Sequence, residues 1–163
     1  MNNSLTLRCI TGSVDATKAL ATALEPVVDD GDLVVLVGDL GAGKTAFTQG
    51  LCAALGVRDP VTSPTFTLAN RYEGRIIVNH LDVYRIEALA EAEDLALTEL
   101  LDDGVTLIEW GDVILPALPD DRLDVRITFG DGDDDRVLEL AAVGPRWADR
   151  MASVRDRLGE WAA

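Results

Sequence analysis

The chain has 163 residues, with 14 Lys and Arg against 29 Asp and Glu, so its formal net charge is −15. This length predicts one domain, residues 1–163, with a core of its own. The 48% hydrophobic content argues against a disordered chain. A protein that binds a nucleic acid duplex must neutralise several phosphates with Lys and Arg, and the sequence contains no cluster of these residues. We therefore expect no tight binding of nucleic acid by the chain itself.

The sequence also predicts where the protein works. No apolar run approaches the roughly 20 residues that span a bilayer, and residues 1–4 lack the basic start of a secretion signal. Cys9 and Cys52 lack the spacing of a zinc site, and we expect both to be buried apolar side chains. These features predict a soluble, cytoplasmic protein without a membrane partner.

The first half of the chain predicts alternating strands and helices. Apolar and polar residues alternate over Leu5–Ile10, as in a half-buried strand. Ser13 is a candidate N-cap for a helix that continues to about Val28. The continuous apolar run Leu33–Val37 predicts a strand buried on both faces, as in parallel sheets. Helical spacing over Thr45–Leu55 then predicts a second long helix.

The second half continues the mixture of strands and helices. The predicted strands are Phe66–Tyr72, Arg75–Leu81, Val105–Trp110, Leu123–Phe129 and Arg136–Ala142, and the predicted helices are Glu87–Leu101, broken near Thr98, and Pro145–Trp161. Turn-forming residues at 73–74 and 130–135 predict two hairpins. The aspartates of the second turn are possible calcium ligands, but a loop tip rich in turn formers explains them better.

One loop carries the clearest chemical signal. Residues 38–45, Gly-Asp-Leu-Gly-Ala-Gly-Lys-Thr, match G-x-x-x-x-G-K-[ST] between the Leu33–Val37 strand and the next helix. Glycines let backbone N–H groups turn toward phosphate oxygens, and a helix N-terminus adds partial positive charge. Lys44 supplies a charge for the β and γ phosphates, and the Thr45 hydroxyl suits Mg²⁺. The predicted nucleotide-binding residues here are Gly38, Asp39, Leu40, Gly41, Ala42, Gly43, Lys44, Thr45 and Ala46.

With this loop, the element pattern predicts an α/β P-loop NTPase fold, a three-layer sandwich with a mixed, mainly parallel central sheet. The metal needs a carboxylate at the end of a neighbouring apolar strand, and Asp82 and Glu109 both satisfy this. We expect His80, the only histidine, to be a hydrogen-bonded structural residue rather than a base. Ser63-Pro64-Thr65 fits either a hydroxyl-bearing nucleotide switch or a simple turn, and spacing leaves both open.

Several nucleotide-binding classes lack their signatures. The sequence has no guanine-reading Asn-Lys-x-Asp run, and its single Asp-x-x-Gly, Asp156–Gly159, falls in the predicted last helix. The ABC-transporter signature Leu-Ser-Gly-Gly-Gln is also missing. A small-molecule kinase remains the alternative, although no arginine-rich lid is evident between Thr62 and Arg122. A module that binds ATP without hydrolysing it is a third hypothesis.

Four segments together resemble the TsaE family in order and spacing. They are the loop at 38–45, Ser-Pro-Thr-Phe-Thr-Leu at 63–68, His-Leu-Asp-Val-Tyr-Arg at 80–85 and Leu-Ile-Glu-Trp at 107–110. The resemblance covers about residues 31–136. It implies an ATPase that binds ATP with Mg²⁺, hydrolyses it slowly when alone, and works with the proteins TsaB and TsaD. The resemblance also implies that TsaB and TsaD attach a threonylcarbamoyl group to adenosine in tRNAs that read codons beginning with A, and that a TsaE protein does not itself perform that transfer.

The resemblance also implies roles for residues around the loop. Lys44 and the loop amides would hold the phosphates, while Thr45 and Glu109 would bind Mg²⁺. Asp82 would support the metal or the attacking water, so that Lys44, Asp82 and Glu109 form the catalytic group. The chain departs from many members at Ala46, where they carry a second threonine, and nucleotide affinity could differ accordingly.

Further positions carry over by the same motifs. Ser63 and Thr65 correspond to the switch segment of the family, together with Trp110, which follows the metal-binding acid. Arg136 resembles an arginine that contacts the nucleotide, although the unusually acidic turn before it makes this correspondence weaker. The Thr11–Ser13 turn is expected near the adenine.

Overall fold

The computed structural model describes residues 5–64, 69–83, 101–110, 115–116 and 118–163. In this part of the chain, seven strands form one sheet in the order β1-β7-β6-β2-β5-β4-β3. The strands are β1 (Thr6–Thr11), β2 (Leu33–Val37), β3 (Ala69–Glu73), β4 (Ile77–Asp82), β5 (Val105–Glu109), β6 (Arg122–Phe129) and β7 (Arg136–Val143). The helices are α1 (Val14–Leu24), α2 (Lys44–Ala54), α3 (Pro145–Ala148) and α4 (Met151–Arg157).

The centre of the sheet is parallel, and its edges are antiparallel. β2 pairs in parallel with β5 and β6, and β5 pairs in parallel with β4. Every residue of β2 and of β5 is buried, as expected for strands covered on both faces. The predicted α/β fold with a mixed sheet is therefore confirmed, and the carboxyl ends of β2, β4 and β5 meet at one edge. In such sheets, this edge is where ligands bind.

Two hairpins complete the edges of the sheet. β3 and β4 form the first, as the sequence predicts, but its turn covers residues 74–76, because Glu73 still pairs with Ile77 as the last residue of β3. β6 and β7 form the second, and β1 adds to its outer side. The 130–135 turn is closed by a hydrogen bond from the Gly130 amide to the Asp135 carbonyl oxygen. The side chain of Asp135 also accepts from the Gly132 amide. The aspartate-rich segment is thus a turn, as predicted.

Alternating side chains divide the core between the two faces of the sheet. Val34 and Leu36 of β2 pack with Phe47 of α2 and with the α1 side chains. Leu33 and Val35 of the same strand join a second cluster on the opposite face. α1 and α2 cover the first face. The side chains of Asp82, at the end of β4, and Glu109, at the end of β5, lie on this same face.

The helix ends differ from the sequence prediction in two places. α1 begins after Ser13, whose hydroxyl oxygen accepts from the Ala16 amide at 3.0 Å, as predicted. It ends at Leu24 rather than Val28, because Pro26 cannot donate to an α-helical ladder. Residues 25–27 instead form a 3₁₀ turn.

The predicted helix 145–161 is also wrong as a single element. It is divided into α3 and α4, with a 3₁₀ turn at residues 159–161. At the break, the Arg150 amide donates to the carbonyl oxygen of Trp147, three residues back, which is 3₁₀ geometry. The Arg150 guanidinium binds the buried Asp32 carboxylate at 2.6 Å and the Val27 carbonyl oxygen at 3.1 Å. This long-range anchor holds the break against the sheet.

The other elements agree closely with their predicted bounds. Two predicted elements lie partly outside the described residues. They are the helix Glu87–Leu101, of which only Leu101 is described, and the strand Phe66–Tyr72, whose first three residues are not described. Cys9 and Cys52 are buried free thiols, as expected. Within the described ranges, no helix has the length and apolar character needed to cross a membrane.

Candidate active site

The Gly38–Thr45 loop connects the end of β2 to the start of α2, and glycines set its shape. Gly41 and Gly43 have φ values of 81° and 119°, a region that other residues rarely adopt. A Cβ on Gly38 would overlap the Ile127 carbonyl oxygen of β6, because the loop passes directly against that strand. The loop therefore keeps a tight path that larger residues at these positions would distort.

Lys44 lies inside this loop rather than in solvent. Its side-chain Nζ donates to the carbonyl oxygens of Gly38 at 2.6 Å and Asp39 at 3.0 Å. The residue is only 5% exposed. The Trp110 ring covers the ammonium group, with its centroid 3.9 Å from Nζ. Hydrogen bonds and the face of an aromatic ring both favour the charged form at this position.

Trp110 holds its ring there in an unusual backbone conformation. Its φ is 64°, in the left-handed region that bulky residues avoid. Its amide still donates to the Leu36 carbonyl oxygen at 3.0 Å, which continues the β2–β5 pairing by one residue. Backbone strain of this kind concentrates at functional sites. The turn after β5 thus directs the ring onto Lys44.

Both candidate acids lie at the same point of the sheet. The parallel register pairs Asp82 of β4 with Glu109 of β5, so the two side chains are neighbours on the face covered by α1 and α2. They are 5% and 2% exposed. The Thr45 hydroxyl donates to Glu109 Oε1 at 3.0 Å, and the Ser63 hydroxyl donates to Asp82 Oδ2 at 3.1 Å. The sequence left the choice between the acids open, and the structure brings both to the loop.

A second contact fixes Glu109 from the opposite side. His80 Nε2 lies 2.6 Å from Glu109 Oε2, and the His80 side chain is fully buried. His80 is hydrogen-bonded, as the sequence analysis expected. Its partner could not be read from the sequence, because 29 residues separate the two positions.

The loop residues and the two acids line one cleft of about 420 Å³. Lys44, Thr45 and the two acids form its polar wall, and Trp110 and Ser63 border it. Its remaining lining residues are Val14, Leu40, Gly41, Gly43 and Ala46. Val14 comes from the start of α1 and was missed by the sequence analysis, although the resemblance implied that the preceding Thr11–Ser13 turn lies near the adenine. The cleft combines a cation, two hydroxyls, two carboxylates and a helix N-terminus.

Arg136 lies beside the loop in an adjoining small pocket. Its Nε donates to the Ala42 carbonyl oxygen at 3.1 Å, and its guanidinium stacks 4.7 Å from the Phe129 ring centroid. Thr17 and Ala46 also line this pocket. Arg136 is therefore next to the loop, and the contact with a nucleotide that the resemblance implies stays a prediction.

The donor set fits a magnesium nucleotide. Mg²⁺ prefers oxygen ligands and commonly uses one or two carboxylates together with phosphate oxygens. Thr45, Asp82 and Glu109 present such oxygens at the cleft. The part of the chain that the structure describes has no group of three or more His, Cys, Asp or Glu that could hold a metal ion. Thr65 of the predicted switch lies outside the described residues.

Comparison with known proteins agrees with this arrangement. The family model described as threonylcarbamoyl adenosine biosynthesis protein TsaE matches residues 11–138. The chain belongs to the TsaE family. It is 43% identical over 143 residues to the tRNA threonylcarbamoyladenosine biosynthesis protein TsaE of Bacillus subtilis strain 168, covering 86% of this chain and 89% of that protein.

Other members are similarly close over most of their length. The Streptomyces coelicolor TsaE protein is 43% identical over 145 residues, which is 84% of this chain and 97% of the relative. The crystal structure of Bacillus subtilis YdiB superposes with a TM-score of 0.78 at 35% identity and covers 95% of both chains. The family resemblance and the α/β fold are thereby confirmed.

Proposed function

We propose that this TsaE-family chain is a Mg²⁺-dependent ATPase of the tRNA threonylcarbamoyladenosine machinery. The observation that carries this proposal is the convergence of Lys44, Thr45, Asp82 and Glu109 on one cleft beside a glycine-rich helix start. The membership of the family supports the pathway. The site chemistry supports the reaction, because phosphoryl transfer depends mainly on positioning and on stabilisation of charge.

The phosphates of ATP would lie along the Gly38–Thr45 loop. The loop amides and the α2 N-terminus suit phosphate oxygens. The Lys44 ammonium is held in the same loop, where it donates to the Gly38 carbonyl oxygen. Ala46 lies between the main cleft and the pocket that contains Arg136. We therefore assign the adenosine part to that side, near the start of α1.

Thr45 and Glu109 would hold the metal. Bound Mg²⁺ neutralises charge on the β and γ phosphates. Asp82 lies on the next strand at the same level, where it would orient the attacking water, and Ser63 already binds its carboxylate. Trp110 would keep Lys44 in place while the nucleotide is exchanged.

Low intrinsic turnover follows from what surrounds the phosphate side of the cleft. Among the described residues, the lining of the main cleft includes Lys44 but no arginine. Arg136 lies in the adjoining pocket and is already engaged with backbone oxygens. Arginines supplied by a partner accelerate related reactions strongly. We assign that contribution, or the active geometry, to the partner proteins TsaB and TsaD in the cytoplasm.

The charge of the chain supports a role through partners rather than through direct tRNA binding. A net charge of −15 repels the phosphate backbone of tRNAs that read codons beginning with A. The same charge suits a basic surface on a partner protein. A filter-binding titration that shows tight tRNA binding by the chain alone would contradict this part of the proposal.

The nucleotide site can be tested by calorimetric titration with ADP in Mg²⁺. Thr45→Val should weaken binding, because it removes the hydroxyl that faces Glu109. Thr48→Val is the matched control, since its buried hydroxyl donates to the Lys44 carbonyl oxygen one turn along α2. Equal affinity of the wild type and both variants would refute the proposed metal site. Phosphate release from ATP without any added acceptor would separate hydrolysis from a small-molecule kinase.

A further inference from the structure

His80 makes a buried hydrogen bond to the carboxylate at the centre of the site. The distance from Nε2 to Glu109 Oε2 is 2.6 Å, and the two side chains are 0% and 3% exposed. The other oxygen of the same carboxylate, Oε1, accepts from the Thr45 hydroxyl at 3.0 Å. The carboxylate is therefore held at both oxygens, once by β4 and once by α2.

The strand register explains why this contact forms. His80 pairs with Leu107, and Glu109 lies two residues further along β5 on the same face. Diagonal neighbours of this kind are within reach of long side chains. The imidazole is fully buried, which restricts its movement. Its orientation is thus set by the fold before any ligand arrives.

The second ring nitrogen indicates which way the hydrogen bond runs. Among the described residues, His80 Nδ1 is buried and has no hydrogen-bond partner. A proton there would be a buried donor without an acceptor, which is costly. With its proton on Nε2, the ring avoids this cost and donates to Glu109 across the 2.6 Å contact. His80 therefore supplies one directed N–H to the carboxylate.

We infer that His80 is a positioning residue that orients Glu109 to bind Mg²⁺ together with Thr45. This inference rests on the proposed function, because it assumes that Glu109 binds Mg²⁺. Carboxylates that bind metals are themselves hydrogen-bonded, and loss of such a partner typically lowers metal affinity by about 10–100-fold. His80 acts through Glu109 and needs no contact with the nucleotide.

Two near-isosteric substitutions separate this role from simple packing. His80→Gln places an amide N–H near the position of Nε2, whereas His80→Asn places it near Nδ1, away from Glu109. The dissociation constant of ADP is measured for each variant with excess Mg²⁺ and with EDTA. We expect His80→Asn to lose at least about tenfold of the Mg²⁺-dependent affinity. We expect His80→Gln to keep most of it, and neither variant to change affinity in EDTA.

Asn79→Leu is the control for disturbance of the strand. Asn79 is a buried neighbour of His80 whose side chain donates to the Asp103 carbonyl oxygen at 2.8 Å, on the opposite face of β4. This variant should retain the Mg²⁺-dependent affinity. Thermal melting of all three variants shows that each is folded at the temperature of the titrations. The double variant His80→Asn with Glu109→Gln should lose little Mg²⁺-dependent affinity beyond the loss in Glu109→Gln alone, because the effects of interacting residues are not additive.

The outcomes distinguish this inference from the proposed function. Wild-type affinity for ADP that is the same in Mg²⁺ and EDTA overturns the proposed metal site, and this inference with it. Mg²⁺-dependent affinity that His80→Asn retains overturns the positioning role alone. Equal loss in folded His80→Gln and His80→Asn also overturns it, because the directed N–H would then be irrelevant. Loss in His80→Asn with rescue in His80→Gln supports it.

Discussion

Gly38→Ala tests how the Gly38–Thr45 loop is held against the sheet. The added Cβ would lie against the Ile127 carbonyl oxygen of β6, well inside the ~3.3 Å at which carbon and carbonyl oxygen touch. The loop must then retreat by roughly 1 Å from β6. Overpacking of this kind costs about 1–3 kcal/mol of stability. For a chain of this size, the melting temperature should fall by roughly 2–12 °C.

The same shift should reach the nucleotide. Gly38 also supplies one of the two carbonyl oxygens that bind the Lys44 ammonium. Misplacing one charge-assisted hydrogen bond costs about 1.5–3 kcal/mol, which is about 10- to 100-fold in the dissociation constant. Fluorescence titration with a labelled ADP measures this constant, and thermal melting measures the stability.

Gly104→Ala provides a matched control. A Cβ on Gly104 would overlap the Ile77 carbonyl oxygen, and the φ of 79° adds strain there, but this position is at the start of β5, the end remote from the loop. This variant should lower the melting temperature and leave ADP affinity unchanged. Wild-type ADP affinity in Gly38→Ala, or an equal loss in Gly104→Ala, would refute the reasoning that contact with β6 shapes the binding loop.

Three further predictions concern charge and burial. Lys44→Ala should weaken ADP binding at least about tenfold, measured by calorimetry, because it removes the cation of the cleft. Burial raises the pKa of Cys9 to about 11 and that of Cys52 to about 12, from the ordinary 9.0. Ellman's reagent at pH 8 should therefore detect neither thiol before unfolding and both afterwards. Because the pKa values of the thiols are higher in the folded than in the unfolded chain, burial of the neutral thiols contributes to stability fully below pH 9. This contribution is lost as the pH rises toward 11–12, and urea unfolding at several pH values checks it. Arg150→Ala should lower the free energy of unfolding by about 1–3 kcal/mol, since it removes a partner of the buried Asp32 carboxylate. ADP affinity should not change, and a stability equal to wild type would contradict the importance of that ion pair.

Local sequence patterns predict the parts of the fold that depend on near neighbours. The apolar run of β2 fixes a strand covered on both faces, and the glycines after it fix a loop that opens α2. Ser13 caps α1 because its hydroxyl reaches an amide only three residues away. In each case a short run of the sequence is enough to indicate the element.

Contacts between distant residues could not be predicted in this way. Asp82 and Glu109 were each expected near the metal, but their pairing depends on the order β2-β5-β4, which only the folded sheet defines. The bond between His80 and Glu109 depends on the same register. The break between α3 and α4 likewise coincides with an Arg150 anchor to Asp32, 118 residues earlier. Long-range geometry, and not local propensity, decides these features.

Release of phosphate from ATP by the purified chain, alone and then with purified TsaB and TsaD, tests the central claim most directly. The site has its own cation, hydroxyl and carboxylates, but the described lining of its cleft contains no arginine. We therefore predict slow release by the chain alone, a sharp rise with both partners, and none from Glu109→Ala under either condition. Release by the chain alone that is as fast as release by the assembled complex would contradict the account.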